Sequence, residues 1–498
     1  MRLTELAKAV DGAQLRFKNG EEDVEIFCLS ADSRTRAEGS LFFCLTGGQA
    51  DGHSYATQAI KKGAVALVVE KELPIRVPQI LVEDSRLALG KISSAFYKDP
   101  SSDMKVIGIT GTNGKTTTSY MLASILENAG KRVGVIGTLG IRYGEQRVAC
   151  DLTTPDPIIL QKTLADMWLR GIEYVVMEVS AHALYYKKIA GVRFCACIFT
   201  NFTQDHLDFF STMNEYKKAK LGLFSPEICP IAILNGDEAV GREIGALRGD
   251  FSSDTAVGIK TAYYGLQTPS DAFAVITNEN IYGSECMLNV NDNLCRVSLG
   301  LTGRHNVYNA LAAASCALAL GIPADAVAQG LTELKTVKGR LERVGAFHGA
   351  EIYVDFAHTP DGLEKSLDAL RMHCKGRLFC LFGCGGNRDK AKRPLMGETV
   401  AKKADFAILT SDNPRYEDPL DIIGGIERGY RRFSVKYVVV PDRAVAIEYA
   451  LECLKKEDVL LVAGKGGEEY QEVMGIKYPF NDNDIIEKLL KRKERESL

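Results

Sequence analysis

The sequence predicts an α/β protein of about three domains, with mainly parallel sheets in the two larger ones. Its length of 498 residues fits about three domains of typical size. Two series of continuous apolar runs alternate with helical patterns, as is typical of parallel strands covered on both faces. Glycine or charged residues follow directly after these runs, which is where ligands of open parallel sheets bind.

Composition excludes several classes of protein. With 46% hydrophobic and 25% charged residues, the chain resembles an ordinary soluble globular protein, and a formal net charge of -3 argues against nucleic-acid binding by bulk electrostatics. The start "MRLTELAKAVDGAQL" predicts an amphipathic helix and not a signal peptide, and no apolar run reaches the roughly 18 residues of a membrane span. Thirteen cysteines without repeated CxxC spacing indicate a reducing cytoplasm.

Changes in pattern divide the chain into three predicted domains, at residues 1–102, 103–338 and 339–498. The first contains short strands and helices and closes in the polar linker "YKDPSSDM". The second carries the runs "KVIGIT", "RVGVIGT", "YVVMEVS", "CACIFTN" and "PIAILN". The third, a Rossmann-like α/β domain, carries "EIYVDFAH", "RLFCLFGCGG", "FAILTSDNPR", "KYVVVPDR" and "DVLLVAGKGG". The ends of these strands predict a common set of site residues, namely Glu178, Asn201, Asp355, 383–388, 412–415 and 464–468.

The stretch "VIGITGTNGKTTTSYML" predicts a nucleoside triphosphate site, because it combines a strand, a glycine turn and the start of a helix. Gly111 and Gly114 let backbone N–H groups surround phosphates at a helix N-terminus. Lys115 reaches the terminal phosphates, and Thr116 places its hydroxyl on Mg²⁺. The first glycine of the usual pattern is replaced by Ile109. The strand-turn-helix context nevertheless disfavours the alternative, a glycine turn with a chance lysine.

Other polar residues are candidates whose roles the residues alone leave open. Glu178 and His206 follow strands of the same series and are candidate Mg²⁺ neighbours, although histidine is an unusual ligand for a hard cation. Asn306 lies near a helix start, where it recognises a base or caps the helix. Lys220 belongs by pattern to a solvated basic helix face. Arg415 ends a turn as a planar bidentate donor that needs a carboxylate or phosphate partner. We expect phosphoryl transfer in a cleft between the second and third domains.

The ordered motifs of the chain resemble those of the Mur ligases. They are "TGTNGKTTT", "MEVSAHAL", "TNFTQDHLD", "KGRLERV", "VDFAHTPD", "FGCGGNRDKAKRPLMG", "SDNPR" and "AGKGGEEYQ". The stretch "ADSRTRAEGSLFFCLTGGQADGHSYATQAI" is also similar to the uridine-nucleotide domain of that family. The likeness covers essentially the whole chain and is greatest to the branch that makes UDP-N-acetylmuramoyl-tripeptide for peptidoglycan.

The resemblance implies a three-domain, ATP-dependent amide ligase. In such an enzyme ATP phosphorylates the γ-carboxylate of D-glutamate in UDP-MurNAc-L-Ala-D-Glu, and the amine of meso-2,6-diaminopimelate then displaces phosphate. The implied cofactors are ATP, Mg²⁺ and a CO₂-derived carbamate on Lys220. This chemistry needs positioning and charge neutralisation more than a covalent nucleophile. We also expect a monomer in the cytoplasm, with no nucleic-acid partner and no membrane span.

Position by position, the resemblance assigns roles to individual residues. The implied catalytic residues are Lys115, Glu178, His206, Lys220 and His358, and the implied metal site comprises Thr116, Glu178, His206 and Lys220. The ATP site comprises Gly111, Thr112, Asn113, Gly114, Lys115, Thr116, Thr117, Asn306, Arg340 and Asp355. The UDP-MurNAc-dipeptide site comprises Ala31, Ser33, Gly48, Gln49, Ala50, Thr153, Thr154, Ser180, Tyr186 and Lys188. The diaminopimelate site comprises Arg388, Asp412, Asn413, Pro414, Arg415, Gly464 and Glu468.

Arg415 is the residue that we expect to select the added amino acid. Diaminopimelate would offer its distal carboxylate to Arg388 and Arg415 and its distal ammonium to Glu468. Lysine has no distal carboxylate and would leave Arg415 unpaired, which is costly in a partly buried pocket. In the resembling family "DNPR" accompanies diaminopimelate, and lysine-adding members vary at the arginine.

The chain departs from the family pattern at several positions, which keeps other readings open. Ala181 and Lys188 stand where the family often has serine and arginine, Tyr186 where some members have glutamine, and Gly467 where histidine is usual. A related ligase that adds L-lysine or L-ornithine is therefore an alternative. A folylpolyglutamate synthetase is disfavoured by residues 1–100. A phosphate-loop switch or motor is disfavoured because nothing resembles its switch regions.

Overall fold

The structure is a computed structural model that describes residues 1–17, 23–47, 50–249, 260–290 and 292–496. Gly48 and Gln49, which the sequence assigns to the UDP-MurNAc-dipeptide site, lie outside the described residues. The predicted α/β class is confirmed, because helices and mainly parallel sheets alternate along the chain. No helix among the described residues is long and apolar enough to cross a membrane. All thirteen cysteines are described, and all are free thiols.

The N-terminal residues form a small α/β sheet. Its strands follow the order β1-β5-β4-β3-β2 and are parallel except for β1. Apolar residues of β3 and β4 are almost completely buried between the helices, as expected of a sheet covered on both faces. The elements are α1 Leu3–Ala7, β1 Gln14–Arg16, β2 Cys28–Ser30, β3 Ser40–Phe43, α2 Ala56–Lys61, β4 Ala64–Val69, β5 Gln79–Leu81 and α3 Ser85–Phe96.

In the middle of the chain, all five predicted apolar runs form strands, namely β6, β7, β10, β11 and β12. The elements are β6 Lys105–Thr110, α4 Lys115–Asn128, β7 Val133–Gly137, β8 Gly140–Tyr143, β9 Gln146–Val148, α5 Pro157–Leu169, β10 Tyr174–Glu178, α6 Ala181–Tyr185, β11 Phe194–Phe199, α7 Met213–Leu221, β12 Ile231–Asn235, α8 Ala239–Arg248, β13 Lys260–Tyr264, β14 Ala272–Asn280, β15 Gly283–Val290, β16 Asn293–Leu299, α9 Arg304–Ala319 and α10 Ala324–Glu333. The sequence did not single out β13 to β16, in which β14, β15 and β16 pair antiparallel.

The C-terminal residues form a six-stranded sheet in the order β17-β18-β22-β19-β20-β21. The five strands β18, β19, β20, β21 and β22 are parallel, and β17 is antiparallel to β18. The carboxyl ends of the five predicted runs therefore lie along one edge of this sheet, as expected. The elements are β17 Glu342–Phe347, β18 Ala350–Asp355, α11 Pro360–Arg371, β19 Leu378–Phe382, α12 Lys392–Lys403, β20 Phe406–Leu409, α13 Pro419–Tyr430, β21 Tyr437–Val439, α14 Arg443–Cys453, β22 Val459–Ala463, the hairpin β23 Tyr470–Val473 and β24 Ile476–Pro479, and α15 Asp482–Glu496.

The chain divides into two compact units. The first comprises residues 1–108, 132–197 and 222–230, and the second comprises 109–131, 198–221 and 231–498. In the first unit β10, β7, β8 and β9 are successive neighbours, and in the second β16, β15, β14, β13 and β12 are successive neighbours. The second unit contains both the glycine turn and the C-terminal sheet. The boundaries of the three domains at residues 102 and 338 stay a prediction.

Candidate active site

The glycine turn has the strand-turn-helix geometry that the sequence predicts. β6 ends at Thr110 and α4 begins at Lys115, with Gly114 as its N-cap. Gly111 has φ of 149° and Gly114 has φ of 84°, conformations that L side chains rarely adopt. A Cβ on Gly114 would lie 2.5 Å from Asn309 Oδ1. The glycines therefore let the loop turn tightly and place the N-terminus of α4 where anions bind.

Asn201, predicted from its place after β11, holds this loop in position. Its Oδ1 accepts the Asn113 N–H at 2.9 Å, and its Nδ2 donates to the Asn113 carbonyl at 3.1 Å. Thr200 Oγ1 donates to the same carbonyl at 2.7 Å. Thr112 Oγ1 donates to the Thr203 carbonyl at 3.1 Å. These bonds within the protein fix the loop, and such preorganisation favours the binding of phosphate.

Two lysines meet at one backbone carbonyl of the loop. Lys115 Nζ donates to the carbonyls of Gly111 and Thr112 at 3.0 and 2.9 Å. Lys220 Nζ donates to the Gly111 carbonyl at 2.8 Å and lies 4.6 Å from the centre of the Tyr216 ring. Because Lys220 is 1% exposed, its interpretation from the pattern as a solvated lysine is wrong. Burial, and then the charge of Lys115, hold the pKa of Lys220 well below its ordinary value.

Residues of the predicted third domain contact the same loop within the second unit. Arg340 Nη2 donates to Thr116 Oγ1 at 2.8 Å, and its guanidinium lies 4.3 Å from the centre of the Phe356 ring. Asn113 Nδ2 donates to Asp361 Oδ2 at 2.8 Å. The glycine turn and the start of α4 are thus joined to residues around the first strands of the C-terminal sheet. The buried Thr112 and Thr117 complete the predicted loop set.

Asn306 and Asp355 lie near the loop but are bonded within the protein. Asn306 Nδ2 donates to the Thr302 carbonyl at 2.8 Å, and its Oδ1 accepts Asn309 Nδ2 at 3.1 Å. Asp355 accepts the N–H groups of Leu341 at 2.6 Å and Ala357 at 2.9 Å, and the Ser366 hydroxyl at 2.9 Å. Within the second unit both residues therefore hold neighbouring segments in place.

A buried carboxylate that the sequence analysis missed gathers three basic side chains. Asp205 is 4% exposed. Its Oδ2 lies 3.4 Å from His206 Nε2 and 3.6 Å from His358 Nε2, and its Oδ1 lies 3.5 Å from Lys392 Nζ. Burial alone would raise its pKa, but the His358 hydrogen bond and the charges of Lys392 and His206 hold the pKa of Asp205 well below its ordinary value. The signal was available in "TQDHLD", because Asp205 directly precedes the predicted His206.

In the first unit, Glu178 and the predicted acceptor-site residues form one cluster around Thr138. The buried Glu178 carboxylate accepts the Thr138 N–H and hydroxyl, each at 3.0 Å, and Thr138 Oγ1 lies 3.1 Å from Thr153 Oγ1. Thr154 Oγ1 donates to the Glu178 carbonyl at 2.9 Å and accepts the Ser180 N–H at 3.0 Å. Across the described part of the chain, no basic side chain forms an ion pair with Glu178.

The other predicted acceptor-site residues lie on two surfaces of the first unit. Lys188 Nζ is 2.7 Å from Asp156 Oδ1, and the Arg86 guanidinium lies 4.6 Å from the centre of the Tyr186 ring. The guanidinium of Arg86 also donates to the Thr46 carbonyl at 3.0 Å. In the N-terminal region Ala31 and Ala50 are exposed and Ser33 is half-buried.

The loops after β20 and β22 meet through a buried lysine, which belongs to the predicted segment 464–468 but to which the sequence assigned no role of its own. Lys465 Nζ, which is completely buried, donates to Asn413 Oδ1 at 3.0 Å and to Glu468 Oε2 at 2.8 Å. Asn413 Nδ2 also donates to Glu468 Oε2 at 2.8 Å. Gly464 has φ of 113°, and a Cβ there would lie 2.5 Å from Asp412 Oδ2. Lys465 therefore orients two residues of the predicted amino-acid pocket, Asn413 and Glu468.

Arg415 has hydrogen-bond partners within the protein, whereas Arg388 has none among the described residues. Arg415 has φ of 53°, and its Nε donates to Glu472 Oε2 at 3.0 Å while its Nη1 donates to the Gly386 carbonyl at 2.8 Å. Pro414 precedes it, and a Cβ on Gly386 would meet the Pro414 carbonyl oxygen. Arg388 is exposed, and within the described ranges it forms no hydrogen bond or ion pair. We expected lysine to leave Arg415 without a carboxylate partner. Glu472 already supplies one, so the selection against lysine has to be explained with Glu472 taken into account.

Both the sequence and the fold are similar to those of known proteins. Three family descriptions match: Mur ligase family, catalytic domain (residues 25–97), Mur ligase middle domain (109–317), and Mur ligase, glutamate ligase domain (339–466). The UDP-N-acetylmuramoyl-L-alanyl-D-glutamate--2,6-diaminopimelate ligase of Geobacillus kaustophilus (strain HTA426) is 41% identical over 476 residues, which are 94% of this chain and 96% of that protein.

Two solved structures have the same fold. The structure of a UDP-N-acetylmuramoyl-L-alanyl-D-glutamate--2,6-diaminopimelate ligase gives a TM-score of 0.66 at 29% identity and covers 94% of this chain and 95% of that chain. MurF ligase from Thermotoga maritima, in complex with ADP, gives a TM-score of 0.63 at 20% identity and covers 95% of this chain and 98% of that chain. The second likeness concerns the fold alone.

Proposed function

The chain belongs to the Mur ligase family, and from that premise we propose how its residues perform the ligation. It is an ATP-dependent ligase that adds 2,6-diaminopimelate to UDP-MurNAc-L-Ala-D-Glu in peptidoglycan synthesis. The observation that carries the proposed mechanism is the meeting of Lys115 and Lys220 at the Gly111 carbonyl. At this carbonyl the buried amine of Lys220 contacts the loop that is proposed to bind the phosphates.

The first step transfers the γ-phosphoryl group of ATP to the γ-carboxylate of D-glutamate. The backbone N–H groups at the start of α4 and the Lys115 ammonium bind the phosphates, which spreads positive charge over the transferred group. Arg340 binds Thr116 at the same loop and would orient it. The carboxylate oxygen attacks phosphorus, ADP leaves, and an acyl phosphate remains.

We propose Thr116, Glu178, His206 and a carbamate on Lys220 as the residues that would hold Mg²⁺, following the family resemblance. The support is the environment of Glu178: a buried carboxylate whose hydrogen bonds come from the neutral Thr138. A carboxylate is the kind of ligand that Mg²⁺ prefers. When bound, Mg²⁺ would neutralise charge on the phosphate oxygens.

Lys220 is suited to carry the carbamate. Its amine is buried, and among the described residues no carboxylate forms an ion pair with it. Burial disfavours the charged ammonium, so the neutral amine can attack CO₂ to form an N–C bond with loss of a proton. The product is an anion in the place of a cation. A negative group beside Lys115 would also relieve the repulsion between the two lysines.

In the second step the amine of diaminopimelate attacks the acyl carbon, and phosphate leaves as the amide forms. We propose that the loops around Asp412, Asn413, Gly464 and Glu468 position the amino acid, with Arg388 and Arg415 binding its distal carboxylate. Asp205 and the Phe356 carbonyl orient the His358 ring. The ring itself would be a basic group near the end of β18. Loss of a proton from the attacking amine completes the balance.

The acceptor would bind to residues of the predicted first and second domains. We propose that Ser33, Ala31 and Ala50 contact the uridine nucleotide and that Thr153, Thr154, Ser180, Tyr186 and Lys188 contact the muramoyl-dipeptide. Gly48 and Gln49 are retained from the resemblance alone. We propose the meso form of the amino acid, a cytoplasmic location, which thirteen free thiols support, and a monomeric enzyme.

One experiment tests this function. The purified protein is incubated with ATP, Mg²⁺ and UDP-MurNAc-L-Ala-D-Glu, and with meso-diaminopimelate, L-lysine, L-ornithine or no amino acid. We expect tripeptide and phosphate in equal amounts with meso-diaminopimelate, and little of either without an amino acid. Phosphate release that is the same with and without an amino acid would contradict the ligase function. Preference for lysine or ornithine would contradict the specificity alone.

A further inference from the structure

The hairpin β23–β24 holds Arg415 through both backbone and side chain. The Arg415 N–H donates to the Glu472 carbonyl at 3.0 Å, and the Met474 N–H donates to the Arg415 carbonyl at 2.7 Å. The Glu472 N–H in turn donates to Asn413 Oδ1 at 2.9 Å. The guanidinium of Arg415 and the carboxylate of Glu472 therefore form one rigid pair, with Nε and Oε2 separated by 3.0 Å.

This pair differs in charge balance from the neighbouring Glu468. Glu468 Oε2 accepts from both Lys465 Nζ and Asn413 Nδ2, so a buried cation already neutralises its carboxylate. The side chain of Glu468 is 24% exposed, but that of its partner Lys465 is completely buried. The side chains of Arg415 and Glu472 are 18% and 21% exposed, so a ligand can reach both the cation and the anion of this pair. Arg415 keeps Nη2 without a hydrogen bond to any residue that the structure describes.

Because the distal end of diaminopimelate is itself a pair of opposite charges, we propose that Glu472 is a specificity-determining residue that binds the distal ammonium while Arg415 binds the distal carboxylate. This inference rests on the proposed function and reassigns the ammonium from Glu468 to Glu472. The two substrate charges are borne on one carbon atom, and the two protein charges lie at hydrogen-bond distance from each other. Each charge of the ligand then meets an opposite charge, with Arg388 as a second cation for the carboxylate.

The same arrangement rejects two kinds of analogue. L-Lysine supplies an ammonium but no carboxylate, so Glu472 would leave Arg415 for the ligand and the guanidinium would lose its partner. 2-Aminopimelate supplies the distal carboxylate but no ammonium, and its carboxylate would lie beside the uncompensated charge of Glu472. Like charges in close contact disfavour a ligand as strongly as opposite charges favour it.

The test compares kcat/KM for meso-diaminopimelate with kcat/KM for 2-aminopimelate in the full-length enzyme. Loss of one charged hydrogen bond changes such a ratio by roughly tenfold or more. Glu472→Gln is expected to lower the preference for diaminopimelate by about tenfold, mainly through KM, and Glu472→Asp to restore part of it. Because both substrates use the same ATP and acceptor sites, a general structural defect would leave the ratio unchanged.

Two further variants are controls. Glu469→Gln removes a carboxylate of the same loop that pairs with Lys338 at 2.7 Å, and it is expected to leave the preference unchanged. An unchanged preference in Glu472→Gln, or a loss that occurs only in Glu468→Gln, would overturn the assignment. A wild-type enzyme that joins none of these amino acids to the acceptor would contradict the proposed function itself, and direct binding of diaminopimelate by calorimetry would then decide the role of Glu472.

Discussion

The proposed phosphate loop (residues 111–114) and the proposed amino-acid loops after β20 and β22 contact basic side chains in different ways. At the phosphate loop, Lys115 donates to the backbone carbonyls of Gly111 and Thr112, and Lys220 of α7 donates to that of Gly111. In the loops after β20 and β22, Arg415 and Lys465 donate to the carboxylates of Glu472 and Glu468. Both sets lie in the second compact unit, so the difference reflects chemistry and not position in the fold.

This difference matches what each region is proposed to bind. Phosphates carry several negative charges, and a loop with neutral hydrogen-bond acceptors keeps its positive charge for them. A diamino-dicarboxylic acid carries charges of both signs, and ion pairs present both signs to it. The comparison therefore predicts that substitutions in the phosphate loop act on the chemical step, whereas substitutions in the amino-acid loops act on affinity and selectivity.

The largest effect is expected from Lys220→Ala. Loss of the amine removes the proposed carbamate and one of the two lysines at Gly111, so kcat should fall by about 10³-fold, the scale of one transition-state electrostatic contact. Lys218→Ala, which changes an exposed lysine of the same helix, is the matched control and should leave kcat unchanged. Tripeptide formation under saturating substrates measures both. Equal effects in the two variants would remove Lys220 from the site.

A smaller effect on activity is expected from Arg388→Ala. The exposed guanidinium forms no bond in the described protein, so its loss should raise KM for diaminopimelate by roughly 10-fold and leave the unfolding midpoint unchanged. Arg415→Ala should raise KM and also lower the midpoint, because it leaves Glu472 without its partner. Initial rates and urea titrations distinguish them. A stability loss in Arg388→Ala would show that the residue has a structural role.

Arg340→Ala should change nucleotide affinity by a few fold. Its hydrogen bond to Thr116 and its contact with Phe356 fix the start of α4, so KM for ATP should rise by roughly fivefold while KM for diaminopimelate stays constant. Steady-state rates at varied ATP measure the change. A rise in KM for diaminopimelate with no change for ATP would contradict the division between the two regions.

Glu417→Gln should affect stability more than catalysis. Hydrogen bonds from Arg393 lower the pKa of Glu417 from 4.5 to about 2, so its stabilisation is full above pH of about 4.5 and is lost as pH falls towards 2. At pH 7 the substitution should cost about 1.5–3 kcal/mol, the scale of a hydrogen bond to a charged group, because the buried Arg393 loses its carboxylate. Glu398→Gln, whose partner Lys402 is exposed, should cost under about 0.5 kcal/mol.

The pH dependence provides the check for this prediction. The difference in unfolding free energy between Glu417→Gln and the wild type should shrink as pH falls from about 4.5 towards 2. The wild-type Glu417 side chain then becomes protonated and is neutral, as the glutamine side chain of the variant is at every pH. Urea titrations at several pH values measure it. A difference that is independent of pH would mean that the shape of the side chain, and not its charge, provides the stabilisation.

The sequence predicted the local parts of this molecule well. Continuous apolar runs identify the strands β6, β7, β10, β11 and β12, because a parallel strand buries both faces and shows this in its own residues. The glycine turn was predicted for the same reason: its glycines, Lys115 and the following helix are adjacent in sequence. The exposed alternation of β14 to β16 carried a weaker signal, and these strands were not singled out.

Contacts between distant residues could not be predicted from patterns. Lys220 looked solvated because its helix is basic, yet it is buried against Gly111, 109 residues away. Glu472 meets Arg415 across 57 residues, and Lys465 meets Asn413 across 52. In each case the two partners are brought together by the tertiary fold, and the residues near either one in the sequence carry no signal of the other. The three-domain boundaries and the roles of the site residues stay predictions.

The most direct test of the mechanism follows an oxygen atom. UDP-MurNAc-L-Ala-D-Glu labelled with ¹⁸O in both oxygens of the γ-carboxylate is ligated to diaminopimelate with ATP and Mg²⁺, and the released phosphate and the tripeptide are analysed by mass spectrometry. Formation of an acyl phosphate predicts one ¹⁸O atom in each phosphate and one in the new amide. Phosphate without label, released while tripeptide forms, would contradict phosphoryl transfer to the acceptor carboxylate.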